Sequence, residues 1–229
     1  MPPSPDASLS RRERERRTRR RAMLDAARAV FAEKGYADAT LNEVAERAEF
    51  GKGTLYNYFE GGKEELLFAV FDDTIGELED LIRTVFHDDR NEQPLRAAFH
   101  TFVKGHFEMI REQQDLFLIL VKEAHVMAFS DDGERVQFFQ EQHERLVNAL
   151  TPALEAAMEN GEIQPLPPAS VANLLLANVR GLGTHCTLEK RHCPGEEQRF
   201  LNDPAQAADF LTALLFDGLE KNGAATASA

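Results

Sequence analysis

Apolar residues in this chain recur at helical rather than strand spacing over almost its whole length. Leu24, Ala27 and Phe31 share one face of a first helix predicted over about Arg16 to Lys34, with Gly35 as its left-handed stop. Leu41, Val44, Ala45 and Ala48 follow at i, i+3, i+4 and i+7, behind Thr40 as N-cap and with Glu43 placed to close a capping box. Glu49-Phe50-Gly51 breaks that period. A short helix then opens at Lys52-Gly53-Thr54, turning Leu55 and Phe59 inward and leaving Lys52, Thr54, Tyr56, Asn57 and Tyr58 on its exposed sides.

A fourth helix is predicted from Gly62 or Lys63 to about Phe86, with Leu66, Leu67, Val70 and Phe71 on its early apolar face. The polar stretch from His87 to Gln93 marks a boundary, and Pro94 suits the first turn of a helix running to about Glu112. Leu116 to Val121 is apolar all round, which predicts a deeply buried helix reaching Phe129. Longer helices are expected over 134–160, with a kink at Pro152, over 169–190 and over 204–221. No strand alternation and no internal repeat occurs, so the expected fold is all-α, of about nine helices.

The stretch TLNEVAERAEFGKGTLYNYF (Thr40 to Phe59), with LDAARAVFAEKGYADAT before it and KEELLFAVF after it, resembles the amino-terminal domain of TetR-type (TetR/AcrR) transcriptional regulators. The resemblance covers about a quarter of the chain, at many positions of fixed spacing. It implies a three-helix helix-turn-helix domain in which one helix braces and the next enters the major groove. It also implies a helical carboxy-terminal bundle that binds a small-molecule inducer and pairs with a second copy through its last two helices. The fourth helix then serves as the lever between the two parts. Two departures stand out. Glu49 occupies a turn position that usually carries Gly, where a positive φ would cost about 1 kcal/mol. Gly61-Gly62 adds a residue before Lys63, the position expected to meet phosphate.

Charge changes the picture once the chain is divided. The net formal charge is −13, yet residues 1–63 hold 13 Lys+Arg against 10 Asp+Glu, leaving 13 against 29 for the rest. A basic first quarter attracts phosphate while an acidic remainder is repelled, although an acidic excess also serves solubility or salt tolerance. Residues 11–21 contain eight arginines and two glutamates. The resemblance implies an arm lying along the DNA backbone or reaching into the minor groove; a solvated tail is the plainer alternative. The expected domains are thus a disordered basic arm (1–15), a helix-turn-helix domain (16–62), a ligand-binding and dimerisation domain (63–222) and a disordered tail (223–229).

Lys52, Thr54 and Asn57 are the candidates for base edges, because lysine reads guanine acceptors, asparagine pairs with adenine and a threonine methyl meets thymine. Thr40, Tyr56, Tyr58 and Lys63 are the candidates for phosphate, with Gly53 in the same face; for the tyrosines, packing between helices is the competing role. The resemblance places an inducer pocket among Phe102, His106, Phe117, His125, Phe139 and His143, each of which also suits an ordinary core. His185-Cys186 and His192-Cys193 match no common zinc spacing, so no metal and no cofactor is expected. No nucleophile elbow, phosphate-binding glycine loop or H-E-x-x-H motif occurs, which argues against an enzyme. No apolar run is long enough to span a bilayer, and the expected location is the cytoplasm. The expected partners are a near-palindromic double-stranded operator, an unknown inducer and a second copy of the chain. An inducer-independent DNA-binding structural or cell-division factor is the alternative.

Overall fold

A computed structural model of the chain describes residues 10–87, 93–192 and 203–218. Among these it forms nine helices and no strand: α1 (Arg11–Asp38), α2 (Leu41–Arg47), α3 (Lys52–Tyr56), α4 (Gly62–Phe86), α5 (Leu95–Glu112), α6 (Gln114–Ala128), α7 (Gly133–Glu159), α8 (Pro168–His192) and α9 (Pro204–Asp217). The expected polar boundary at 88–92, Cys193 with most of its loop, and the tail at 223–229 lie outside the described residues.

The elements match the apolar spacing, and the differences have local causes. Helix α1 begins at Arg11, so residues 11–15, expected to be a disordered arm, are helical. The cause is a second capping box. The Ser10 hydroxyl accepts from the Glu13 amide at 3.3 Å, and the Glu13 carboxylate accepts from the Ser10 amide at 2.8 Å. Gly35 (φ 78) interrupts the α-helical backbone where a stop was expected, before a last short turn to Asp38. Helix α3 is shorter than the expected reach to Phe59: Asn57 is its C-cap, and Tyr58 and Phe59 follow in a hydrogen-bonded turn. Helix α9 ends at Asp217, where Gly218 takes φ 75; residues 219–221, to which it was expected to reach, lie outside the described residues. Helix α6 is less buried than its composition suggests. Leu116 and Leu120 are buried, while Phe117, Leu118, Ile119 and Val121 are half-buried. Helix α7 passes through Pro152 without ending.

Two compact units divide the chain: Met1–Thr74 with Asp115–Glu123, and Ile75–Gln114 with Ala124–Ala229. The division therefore falls inside α4, three turns past Lys63. In the first unit Leu24, Phe31, Leu55, Phe59, Leu66 and Val70 form a core with at most 1% exposure. Burying large side chains of this kind stabilises by about 1.5–3 kcal/mol each before chain entropy is subtracted. The second unit has its own core, in which Phe99, Phe102, Val103, Leu150, Leu154 and Ala172 are fully buried. Three tilted aromatic pairs, Phe86–Phe102, Phe99–Phe102 and Phe99–Phe216, run through it with centroids 5.5–6.5 Å apart.

Candidate nucleic-acid interface

The first unit presents one polar face built on α2 and α3. Thr40 starts α2 by accepting from the Glu43 amide, while its own amide and hydroxyl donate to the Glu43 carboxylate at 3.0 and 2.9 Å. Glu43 also receives the Lys34 ammonium from α1. That ammonium first, and the Thr40 donors second, hold its carboxyl down at about 2. Arg47 at the other end of α2 makes a bidentate pair with Glu33 at 2.6 and 2.8 Å. Two ion pairs thus brace α2 against α1, and the capping box fixes the start of α2.

The turn to α3 requires Glu49 at φ 59, the one non-glycine residue with positive φ among those described. Helix α3 then buries Leu55 and Phe59 beneath it. Lys52, Gly53, Tyr56 and Asn57 are exposed, and Thr54 and Tyr58 are half-buried. The Lys52 ammonium sits 5.9 Å from the Tyr56 ring centre, which keeps both groups on the outer face. A Cβ added at Gly53 would meet nothing within 4 Å, so packing does not demand glycine there. A glycine in a helix costs up to about 1 kcal/mol relative to alanine, and the backbone is laid bare for a close approach.

Lys63, like Thr40, has its donors engaged within the protein. Its ammonium donates to the carbonyls of Tyr36, Ala37 and Ala39 at 2.9, 2.9 and 3.0 Å and lies 4.7 Å from the Tyr36 ring centre. These three bonds close the end of α1. Just before Lys63, Gly62 (φ 72) turns the chain into α4.

Two contacts escaped the pattern reading. The Arg16 guanidinium stands 5.8 Å from the Tyr58 ring centre and that of Arg20 stands 5.6 Å from the Phe59 ring centre. Arg16, Arg20, Ala27 and Phe31 share a helical face, and that spacing was legible in advance.

The matches to known proteins bear on this face directly. Residues 23–70 match the model of the family described as bacterial regulatory proteins, tetR family. Residues 23–70 are therefore a tetR-family domain. Among its relatives is an uncharacterized HTH-type transcriptional regulator, YfiR, of Bacillus subtilis (strain 168), 27% identical over 166 residues that span 71% of this chain and 78% of that protein. The fatty acid metabolism regulator protein of the same organism is 24% identical over 151 residues, spanning 66% and 74% of the two chains. In fold, the chain resembles the transcriptional regulator FadR from Bacillus subtilis, solved with stearoyl-CoA, with a TM-score of 0.71 and 20% identity over 87% of this chain and 99% of that one. The chain is accordingly a transcriptional regulator whose described residues are all α-helical and include an amino-terminal, DNA-binding helix-turn-helix. No helix among the described residues is long and apolar enough to cross a membrane.

The six residues expected to line an inducer pocket have varied surroundings. Phe117 belongs to the first unit and the other five to the second. Phe102 is fully buried, His106 lies 6.2 Å from it in a stacked pair, and Phe107 meets His106 edge-on at 6.3 Å. Burial pushes the His106 imidazole down to about 4. Phe139 is half-buried, His143 bonds the Asn173 side chain through Nε2, and His125 is exposed. An open depression in the second unit, of about 510 Å³, is lined by Ser130, Asp131, Val136, Gln140 and Glu144 among others, and by none of the six. Cys186 is buried, and no group of three metal-ligating side chains occurs among the described residues.

Proposed function

We propose that the chain is a repressor that binds a near-palindromic operator as a homodimer in the cytoplasm and leaves it when a fatty acyl thioester occupies the second unit. The exposed face of α3 carries the DNA half of this reading. Lys52, Thr54 and Asn57 offer an ammonium, a methyl and a carboxamide for base edges, while Thr40, Tyr56 and Tyr58 flank them at backbone height. Lys63 serves this interface by holding the end of α1 in place.

The pairing half rests on α8 and α9, where Leu174 (59% exposed), Leu188 (41%) and Phe210 (39%) stand outward. Covering them with a second copy would remove their apolar surface from water and place two reading heads on one duplex. The ligand class is supported by the relatives. One is named a regulator of fatty acid metabolism, and a neighbour of the same fold was solved with stearoyl-CoA. An acyl chain suits the aromatic interior around Phe102, and His106, stacked on that ring, is a polar group for its carbonyl.

The test is selection of bound duplexes from a random pool, followed by retardation of the enriched sequence with and without stearoyl-CoA. A palindromic consensus, loosened at one base step by Asn57→Ala or Lys52→Ala at a cost of about 1–3 kcal/mol, is expected. Added thioester should release the duplex. Failure to enrich any sequence refutes the DNA half; unchanged retardation with the thioester refutes the ligand class.

A further inference from the structure

Helix α4 belongs to both compact units, which divide between Thr74 and Ile75, and separate ion pairs hold its two halves. On the first side Asp73 receives the guanidinium of Arg28, a buried residue of α1, at 2.8 Å and that of Arg21 at 3.1 Å. On the second side Glu79 receives Arg145 of α7 at 2.9 Å, and the same guanidinium donates to the Gln142 side chain at 2.8 Å. Ile75 and Leu78 pack against the core of the second unit, while Val70 is buried in the first. Only about 9 Å of helix axis separates the two clamps, at 1.5 Å per residue.

That short interval holds two features that weaken a helix. Thr74 turns its hydroxyl back to donate to the Val70 carbonyl at 2.9 Å, a contact that competes with the backbone amide and bends helices. Gly76 follows two residues later, the one glycine of α4 after its first residue. Packing does not require it, since a Cβ there would meet only the end of the Arg145 side chain, at an ordinary 3.9 Å. Glycine inside a helix leaves the backbone freer than alanine would. Rigid transmission along α4 would gain from alanine at this position, and the division between the units is where the stiffness is instead relaxed.

We infer that α4 carries a hinge at Thr74–Gly76, so that its two clamped halves bend against each other while both sets of ion pairs stay closed. The hinge rests on the ligand-responsive reading above and supplies its moving part. Binding to duplex selects one bend, and occupancy of the second unit selects another.

The test is amide hydrogen exchange of the full-length protein, followed in peptides covering α4, alone and with the selected duplex. Amides 76–80, whose helical acceptors lie at 72–76, should exchange faster than their neighbours on either side, and duplex should slow them. Gly76→Ala should slow them about fivefold without duplex, the factor that its helix preference supplies, and should leave the neighbours unchanged. It should also raise the stearoyl-CoA concentration needed for half-release of the duplex by about fivefold. Gly76→Ala with Thr84→Gly returns a glycine to an exposed position of α4 outside the interval, and should behave like Gly76→Ala alone. Recovery of normal exchange and release in that double variant would overturn the hinge in favour of overall helix stability. Slowed exchange with unaltered release would also overturn it, leaving Gly76 a local weak point only. If stearoyl-CoA does not release the unaltered protein, the ligand class alone falls, and the hinge stands or falls on the slowing of amides 76–80 by duplex. If no duplex is bound, the regulator reading and the hinge fall together.

Discussion

Replacing Lys63 by methionine separates a structural lysine from a phosphate contact. Methionine keeps most of the aliphatic stem beside Tyr36 and removes three charge-assisted hydrogen bonds, those to Tyr36 and Ala39 part-buried and that to Ala37 exposed. A bond from a charged donor contributes about 1.5–3 kcal/mol when buried, less in water, and the three are not additive, so a loss of about 2 kcal/mol is expected. The chain has no tryptophan, and its three tyrosines, Tyr36, Tyr56 and Tyr58, all lie in the first unit. Tyrosine emission during urea denaturation therefore reports that unit alone. For a unit this small the slope is near 1 kcal/mol per molar urea, so the midpoint should fall by about 1–2 M. Well below the transition, affinity for random duplex should keep its salt slope. An unmoved tyrosine midpoint, combined with weaker binding and a slope reduced by about 0.9, would refute the structural role and make Lys63 a phosphate contact.

Other perturbations follow from the same geometry. Glu49→Gly relieves a left-handed strain of about 1–2 kcal/mol and frees the unfolded chain by about 0.4–1, so tyrosine-detected denaturation should show a net gain of roughly 0.5–1 kcal/mol; a loss would mean that the Glu49 side chain stabilises the turn. Gly53→Ala should stabilise the first unit by up to about 1 kcal/mol in the same assay yet weaken duplex binding, and equal or tighter binding would exclude a close approach at that backbone. The unfolded His106 imidazole takes a proton near pH 6.5, whereas the folded one waits until about 4. Its contribution is therefore complete above pH 6.5 and is lost as pH falls toward 4, by up to about 3 kcal/mol. His106→Leu should flatten the stability profile in that window, and an unchanged profile would assign the slope to other groups. Glu43 works at lower pH: its depressed carboxyl stabilises fully above about 4.5 and loses that effect toward 2, so Glu43→Gln should remove the component of acid unfolding seen between those values.

The parts legible in the sequence are those with short-range causes. The α2 capping box, the stop at Gly35, the strained turn at Glu49 and the inward Leu55 and Phe59 follow from spacing and backbone sterics alone. The capping box at Ser10 obeys the same Ser-x-x-Glu rule as Thr40-x-x-Glu43, but the density of arginine beyond it suggested a tail. Lys63 escaped because its partners are carbonyls 24 to 27 residues away, and no side-chain pattern encodes a backbone acceptor. The inducer residues were the least legible, since aromatic residues that line a cavity and those that fill a core obey one and the same periodicity.

Thr40 has a consequence for how DNA can arrive. Its amide and hydroxyl are the groups that an approaching phosphate would seek, and both already donate to the Glu43 carboxylate. The start of α2 thus carries its own resident anion, held there by Lys34 from the neighbouring helix. A phosphate at Thr40 would have to displace a carboxylate rather than fill an empty place. Acidification, which discharges Glu43 but leaves phosphate diesters ionised, would tilt that competition toward the nucleic acid.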